Sequence, residues 1–285
     1  MDRKQNLKSF LYQIKDTLPF EDAKDFQEKI INEKEFRIKI QKLAYLSKFF
    51  GWDNDYQFNF HKHGPYSCQL SEDYHGISSF DTSSENYQTD SEFYDFVENQ
   101  NVEQLESSAT ILYYLNKLNL NNYDENNLIN ILSYLKPHID KQIIENVYVR
   151  IAKFGLFDCN IPNNEIKINK AIVLDKLNGL IEIFETFESS SNRTLLLGSL
   201  DYFRLALKRE KLNEDEEKKL FELVYEYAEY IETYYFTNYS LADELIDSDL
   251  RDIDEKFDEL QTYISELNIL PRLYDEDVDL SVFCK

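Results

Sequence analysis

Chain breakers are scarce in this sequence: 285 residues hold six glycines and five prolines. A many-stranded sandwich or barrel needs turn residues every few positions, so their scarcity argues against that class and for helices. Cysteine is scarcer still, with three residues at 68, 159 and 284. They are far apart, odd in number and lack a C-x-x-C pair. This argues against a disulfide framework and fits reduced thiols in a cytoplasmic protein. No stretch approaches ~18 uninterrupted apolar residues, so no membrane-spanning helix is expected. The opening "MDRKQNLKSFLYQIKDTLPF" has no apolar run of secretory type.

Positive charge is also in short supply, with 31 Lys and Arg against 54 Asp and Glu, a net of -23. The deficit is uneven. Residues 1–50 carry 11 basic and 8 acidic groups, residues 51–100 carry 1 and 10, and residues 201–285 carry 10 and 24. Most of the chain therefore repels phosphate, which counts against a duplex-DNA ligand. Signatures of phosphate, dinucleotide, serine-hydrolase, zinc-protease and kinase sites are absent. No catalytic residue and no cofactor is expected.

What the chain does have is helical periodicity. "EKEFRIKIQKLAYLSKFFG" places Phe36, Ile40, Leu43 and Ala44 on one stripe, with Gly51 as its stop. Lys34, Arg37, Lys39, Lys42 and Lys48 make it the most basic helix, and they read as a solvated face. "YQFNFH" alternates as a half-buried strand, broken by Gly64-Pro65. Ser67 caps the next helix, and the polar "SSFDTSSENYQTDSE" (78–92) reads as a loop or insertion. Further on, "DKQIIENVYVRIAKFG" has Asp140 as cap and Gly155 as stop. Leu156, Phe157, Ile161, Ile166 and Ile168 flank Pro162-Asn163-Asn164 as a β-hairpin. Two helices followed by a hairpin is the order of a winged helix. Beyond about residue 172 the pattern is continuously helical, with a capping box at Asn213 and Glu216. The fold expected is mainly α with a small β component: a winged-helix-like domain over 1–172, then an acidic all-helical bundle or hairpin over 173–285. Its tail, "YDEDVDLSVFCK", is loose or docks on a partner.

Three of the four histidines fall in "HKHGPYSCQLSEDYHG", residues 61–76. His61 and His63 would share one face of a strand, but Cys68 and His75 do not complete a recognisable ligand spacing. A turn explains more of these residues. Gly64 reverses the chain, Pro65 fixes φ, Tyr66 packs, Ser67 caps and Leu70 enters the core. No metal site is expected.

The basic helix "RIKIQKLAYLSKFFG", the strand "YQFNFHKHGPYS" and "QLSEDYHGI" together resemble the Panacea-type (SocA-like antitoxin) superfamily, and more closely the YwgA-like proteins. The matching positions are Gln41, Lys42, Leu43, Tyr45 and Leu46, then Gly64, Pro65, Tyr66, Ser67 and Leu70. A later segment matches through Leu135, Lys136, Pro137, Ile144, Ile151, Gly155 and Leu156. His63 departs from the aromatic that often precedes the glycine. The resemblance spans about residues 33–160. It implies a non-catalytic regulatory module that binds a protein partner, in antitoxin members a toxin encoded nearby. The alternative is a winged-helix DNA-binding regulator, dimeric through its C-terminal helices. It would read DNA through Lys141, Gln142, Asn146, Arg150 and Lys153 on one helix.

Overall fold

The computed structural model describes residues 3–52, 54–80, 90–118, 125–159, 168–186, 191–208, 212–238 and 247–270. It is mainly helical, with one two-stranded sheet among these residues. No helix among them is long and apolar enough to cross a membrane. The chain divides into two compact units, Met1–Ile166 and Lys167–Lys285. The segment just before residue 172, expected with the first domain, belongs to the second unit.

In the first unit, α1 (Arg3–Gln13), α2 (Ala23–Asn32) and α3 (Lys34–Leu46) precede a short 3-10 turn over Ser47–Phe50. Gly51 ends that turn at φ +83, a left-handed stop that a glycine adopts without strain. Strands β1 (Asn59–His61) and β2 (Gly64–Tyr66) form an antiparallel hairpin. Then come α4 (Cys68–His75), α5 (Ser91–Val97), α6 (Val102–Leu118), α7 (Glu125–Leu135) and α8 (Lys141–Lys153). Helix α6 is the axle of the unit: it packs on α3, α8 and β2. Every residue from Leu105 to Leu115 is buried, including Ser107, Ser108 and Thr110. These small side chains let neighbouring backbones approach closely.

Three expectations need correction. The strand does stop before Gly64-Pro65, but those residues, read only as its breaker, begin a return strand in the register His61 to Gly64 and Phe60 to Pro65. The alternation over Tyr56–Phe58 is not paired in the sheet. Its backbone bonds go to side chains instead, Tyr56 N to Asn54 Oδ1 and Gln57 N to Gln69 Oε1, so no ladder forms there. Leu156 and Phe157 lie in a 3-10 turn, Leu156–Asp158, entered through Gly155 at φ +65. Ile168, also expected in that hairpin, is in no strand and packs against the core of the second unit, while 161–166 lie outside the described residues, as do most of the 78–92 segment and the tail from 274.

Local end signals were obeyed. Ser67 Oγ accepts from Leu70 N at 3.3 Å, and Asp140 Oδ1 accepts from Gln142 N at 2.7 Å. Asn213 and Glu216 exchange reciprocal bonds of 3.0 Å at the start of the third helix of the second unit. That unit comprises α9 (Lys170–Glu185), α10 (Ser191–Lys208), α11 (Glu214–Asn238) and α12 (Asp247–Glu266). All four contribute to one core, in which Leu177, Phe203, Val224, Tyr227, Ile231, Phe257 and Leu260 are buried. Within it Lys176 of α9 is buried against the carboxylates of Glu229 and Glu232 on α11.

Candidate functional site

The segments that carry the resemblance lie far apart in the chain and meet in one buried polar network of the first unit. Gln41 and Lys42 come from α3. Gln41 Oε1 accepts from Ser67 N at 2.9 Å, and its Nε2 donates to Ser67 O at 3.1 Å, so one amide satisfies both backbone groups of the α4 cap residue. Lys42 Nζ donates to Pro65 O at 2.6 Å. Lys42 is 1% exposed, so it does not belong to the solvated basic face expected of this helix, although Lys34 is exposed. Two other cations of this segment also bind carbonyls: Arg37 of α3 caps the end of α2 at Ile30 O, and Lys48, in the 3-10 turn that follows α3, reaches Tyr56 O.

Lys136 follows α7, which Pro137 prevents from continuing. Its ammonium donates to Lys62 O and His61 O at the tip of the hairpin. Between the two lysines stands Glu106 of α6, 2% exposed. Its Oε1 receives Lys136 Nζ at 3.3 Å and His138 Nε2 at 3.1 Å, and its Oε2 receives His63 Nδ1 at 3.2 Å. One carboxylate thus ties the hairpin turn, α6 and the segment after α7 together. No sequence signal singled out Glu106 or His138. The only trace was a charged residue beside Leu105, on a helix whose other charges, Glu103 and Lys117, stand at its two ends.

Electrostatics follow from this geometry. Burial pushes the Lys42 ammonium down to about 7, opposed by the attraction of Glu106. Burial likewise lowers Lys136 to about 8, again against the pull of Glu106. Burial alone would raise Glu106, but the His63 hydrogen bond and the charges of Lys136 and Lys42 overcome it and hold the carboxyl down at about 2. Burial lowers His138, partly offset by Glu106. The carboxylate is therefore the fixed charge of the cluster.

Gly64 adopts φ +81, and a Cβ there would stand 2.5 Å from Thr110 Oγ1. Gly64→Val is expected to lower stability by roughly 1–3 kcal/mol through backbone strain, with the overlap on Thr110 adding to it. Gly51 is the control, since it has φ +83 and nothing within 4 Å of an added Cβ. Urea denaturation of Gly64→Val and Gly51→Val compares the two. Equal losses would show that the close approach to α6 contributes nothing.

Pro65, Tyr66 and Ser67 sit in this same turn, with the Tyr66 ring beside His61 at 4.8 Å, and Leu70 is fully buried. His75 does not join the cluster: its Nδ1 lies 2.7 Å from Ser71 O on α4. The α8 residues considered for DNA lie elsewhere. Lys141 Nζ donates to Asn130 Oδ1 and Gln142 pairs with Asn146. Lys153 is exposed. Arg150 donates to the carbonyls of Phe96, Asp95 and Glu98 at 2.7, 2.6 and 3.2 Å, closing the C-terminal end of α5.

No protein-family model, curated protein or solved structure matches the chain.

Proposed function

We propose that the chain is a non-catalytic regulatory module that works by binding a protein partner, as the resemblance to antitoxins implies. One observation carries this reading. The polar groups of the recognisable segments are engaged in holding the chain's own backbone: Gln41 on Ser67, Lys42 on Pro65, Lys136 on His61 and Lys62. A network of that kind is a scaffold, which leaves recognition to the surface. The acidic excess over residues 201–285, 24 acidic groups to 10 basic, favours a basic partner.

The winged-helix reading, with α7 and α8 as its helix pair, would need Arg150 to reach phosphate or a base edge. Arg150 instead closes α5. At ~150 mM salt, the full chain is expected to give no sequence-selective shift of DNA from upstream of its own coding region. It should instead form an isolable complex with the protein encoded beside it, reconstituted from the two purified components. Selective DNA binding at about 10 nM or tighter, lost on Arg150→Ala with Lys153→Ala, would overturn the proposal.

A further inference from the structure

Among the described residues one grouping of side chains has the composition and spacing of a metal centre: His63, Glu106 and His138, whose ligand atoms all lie within 4.8 Å of one another. We propose that these three residues form a binding site for a divalent transition-metal ion, with zinc as its reference occupant. The inference goes beyond partner binding and stands whether or not that reading holds.

Geometry carries it. His63 Nδ1 and His138 Nε2 approach different oxygens of the same carboxylate, at 3.2 and 3.1 Å. Zinc binds imidazole nitrogen at about 2.0–2.1 Å and carboxylate oxygen at about 2.0–2.2 Å. Tetrahedral ligand atoms around it are then roughly 3.3 Å apart, so the nitrogen-to-oxygen spacings need only small adjustment. The two rings stand nearly perpendicular, 79° apart with centroids at 5.5 Å, so their lone pairs can converge without stacking. Glu106 forms the buried floor, while the side chains of His63 and His138 are 28% and 38% exposed. The ion can therefore arrive from solvent, and a fourth position stays open to water. Two imidazoles and one carboxylate is a ligand set suited to Zn2+ and to other first-row ions.

Imidazole binds a metal ion in its neutral form, through the ring nitrogen that carries no proton. Holding the ion, each ring would carry its proton on the nitrogen facing away and turn a lone pair toward the metal. Lys136 keeps its bonds to the hairpin carbonyls and touches the carboxylate from outside, as an outer contact to the ligand. Its charge and that of Lys42 oppose a cation, so affinity falls short of that of an all-cysteine site. The sequence expectation of no metal rested on ligands close together in the chain. Here they come from residues 63, 106 and 138, brought together only by the fold.

The test uses the full chain stripped with a chelator and dialysed. Calorimetry with Zn2+ is expected to show one equivalent bound and an accompanying rise in Tm. Co2+ is expected to give the visible absorption of a four-coordinate nitrogen and oxygen site. His63→Ala with His138→Ala, both at partly exposed positions, should keep the circular dichroism spectrum. It should also weaken Zn2+ by more than ~100-fold, since loss of ligands exceeds the 10–100-fold effect of losing outer contacts. His75→Ala, at the exposed histidine of α4, should leave binding unchanged. The proposal is overturned by absence of both the cobalt absorption and the Tm rise. It is equally overturned by binding that survives the double variant, or by binding that His75→Ala removes.

Discussion

Glu106→Leu is expected to destabilise the first unit by roughly 3–5 kcal/mol, the range found when one member of a buried ion pair is removed. The substitution keeps apolar volume in α6 but leaves Lys42 and Lys136, each 1% exposed, without their countercharge. His63 and His138 lose their shared acceptor at the same time. The effect has a pH signature. Glu106 titrates at about 2 in the folded chain against an ordinary 4.5. A folded value below the unfolded one means that the stabilisation is present above pH 4.5 and is lost as pH falls toward 2, while the carboxylate's attraction to Lys42 and Lys136 fades as those lysines lose their charge above about 7 and 8. A shift of that size corresponds to roughly 3 kcal/mol, in accord with the mutational range. Urea denaturation of the metal-free protein should thus show a wide gap between parent and variant at about pH 6, below the lysine values and above that of the carboxyl, that narrows below pH 4.5. A gap independent of pH would mean that Glu106 acts by packing alone.

Lys176→Met is expected to have a comparable cost in the second unit, roughly 3–5 kcal/mol. Lys176 is 1% exposed and Glu232 fully buried, and the ammonium also lies 5.5 Å from the centre of the Tyr225 ring. Without it, Glu232 and the nearby Glu229 are left as neighbouring carboxylates one helical turn apart. The second substitution distinguishes charge from shape. Lys176→Met with Glu232→Leu removes both charges and should recover most of the loss, because an apolar pair of similar volume can replace a buried ion pair at little cost. Hydrogen exchange should place the loss of protection in peptides from α9 and α11. A double variant no more stable than Lys176→Met would show that the pair contributes through its shape.

Caps and stops were legible in the sequence because their chemistry is local. Ser67, Asp140 and the Asn213–Glu216 pair satisfy backbone groups two or three residues away, which spacing alone reveals. Gly51, Gly64 and Gly155 all stand at positive φ, a conformation whose need is written in the residue itself. Strand readings fared less well. Alternation over Tyr56–Phe60 suggested a longer strand than the three residues that pair, because pairing depends on what lies opposite and the return strand is equally short.

The candidate site was half visible. Lys42, Gly64, Pro65 and Lys136 stood out through the resemblance and His63 through its histidine-rich stretch, but each was read within its own segment. Helical periodicity put Lys42 on a polar face, and nothing near it in the chain said that α6 and β2 would cover that face. Glu106 looked like one of many carboxylates, and His138 stood apart from the histidine-rich stretch.

By itself the sequence determined the helical class, the ends of several helices and the glycine that must turn the hairpin, all consequences of forces acting within a few residues. Only the tertiary structure decided that two lysines, two histidines and a glutamate would share one low-dielectric site. Burial and Coulomb attraction act through space, and the partners of Glu106 lie dozens of residues from it along the chain.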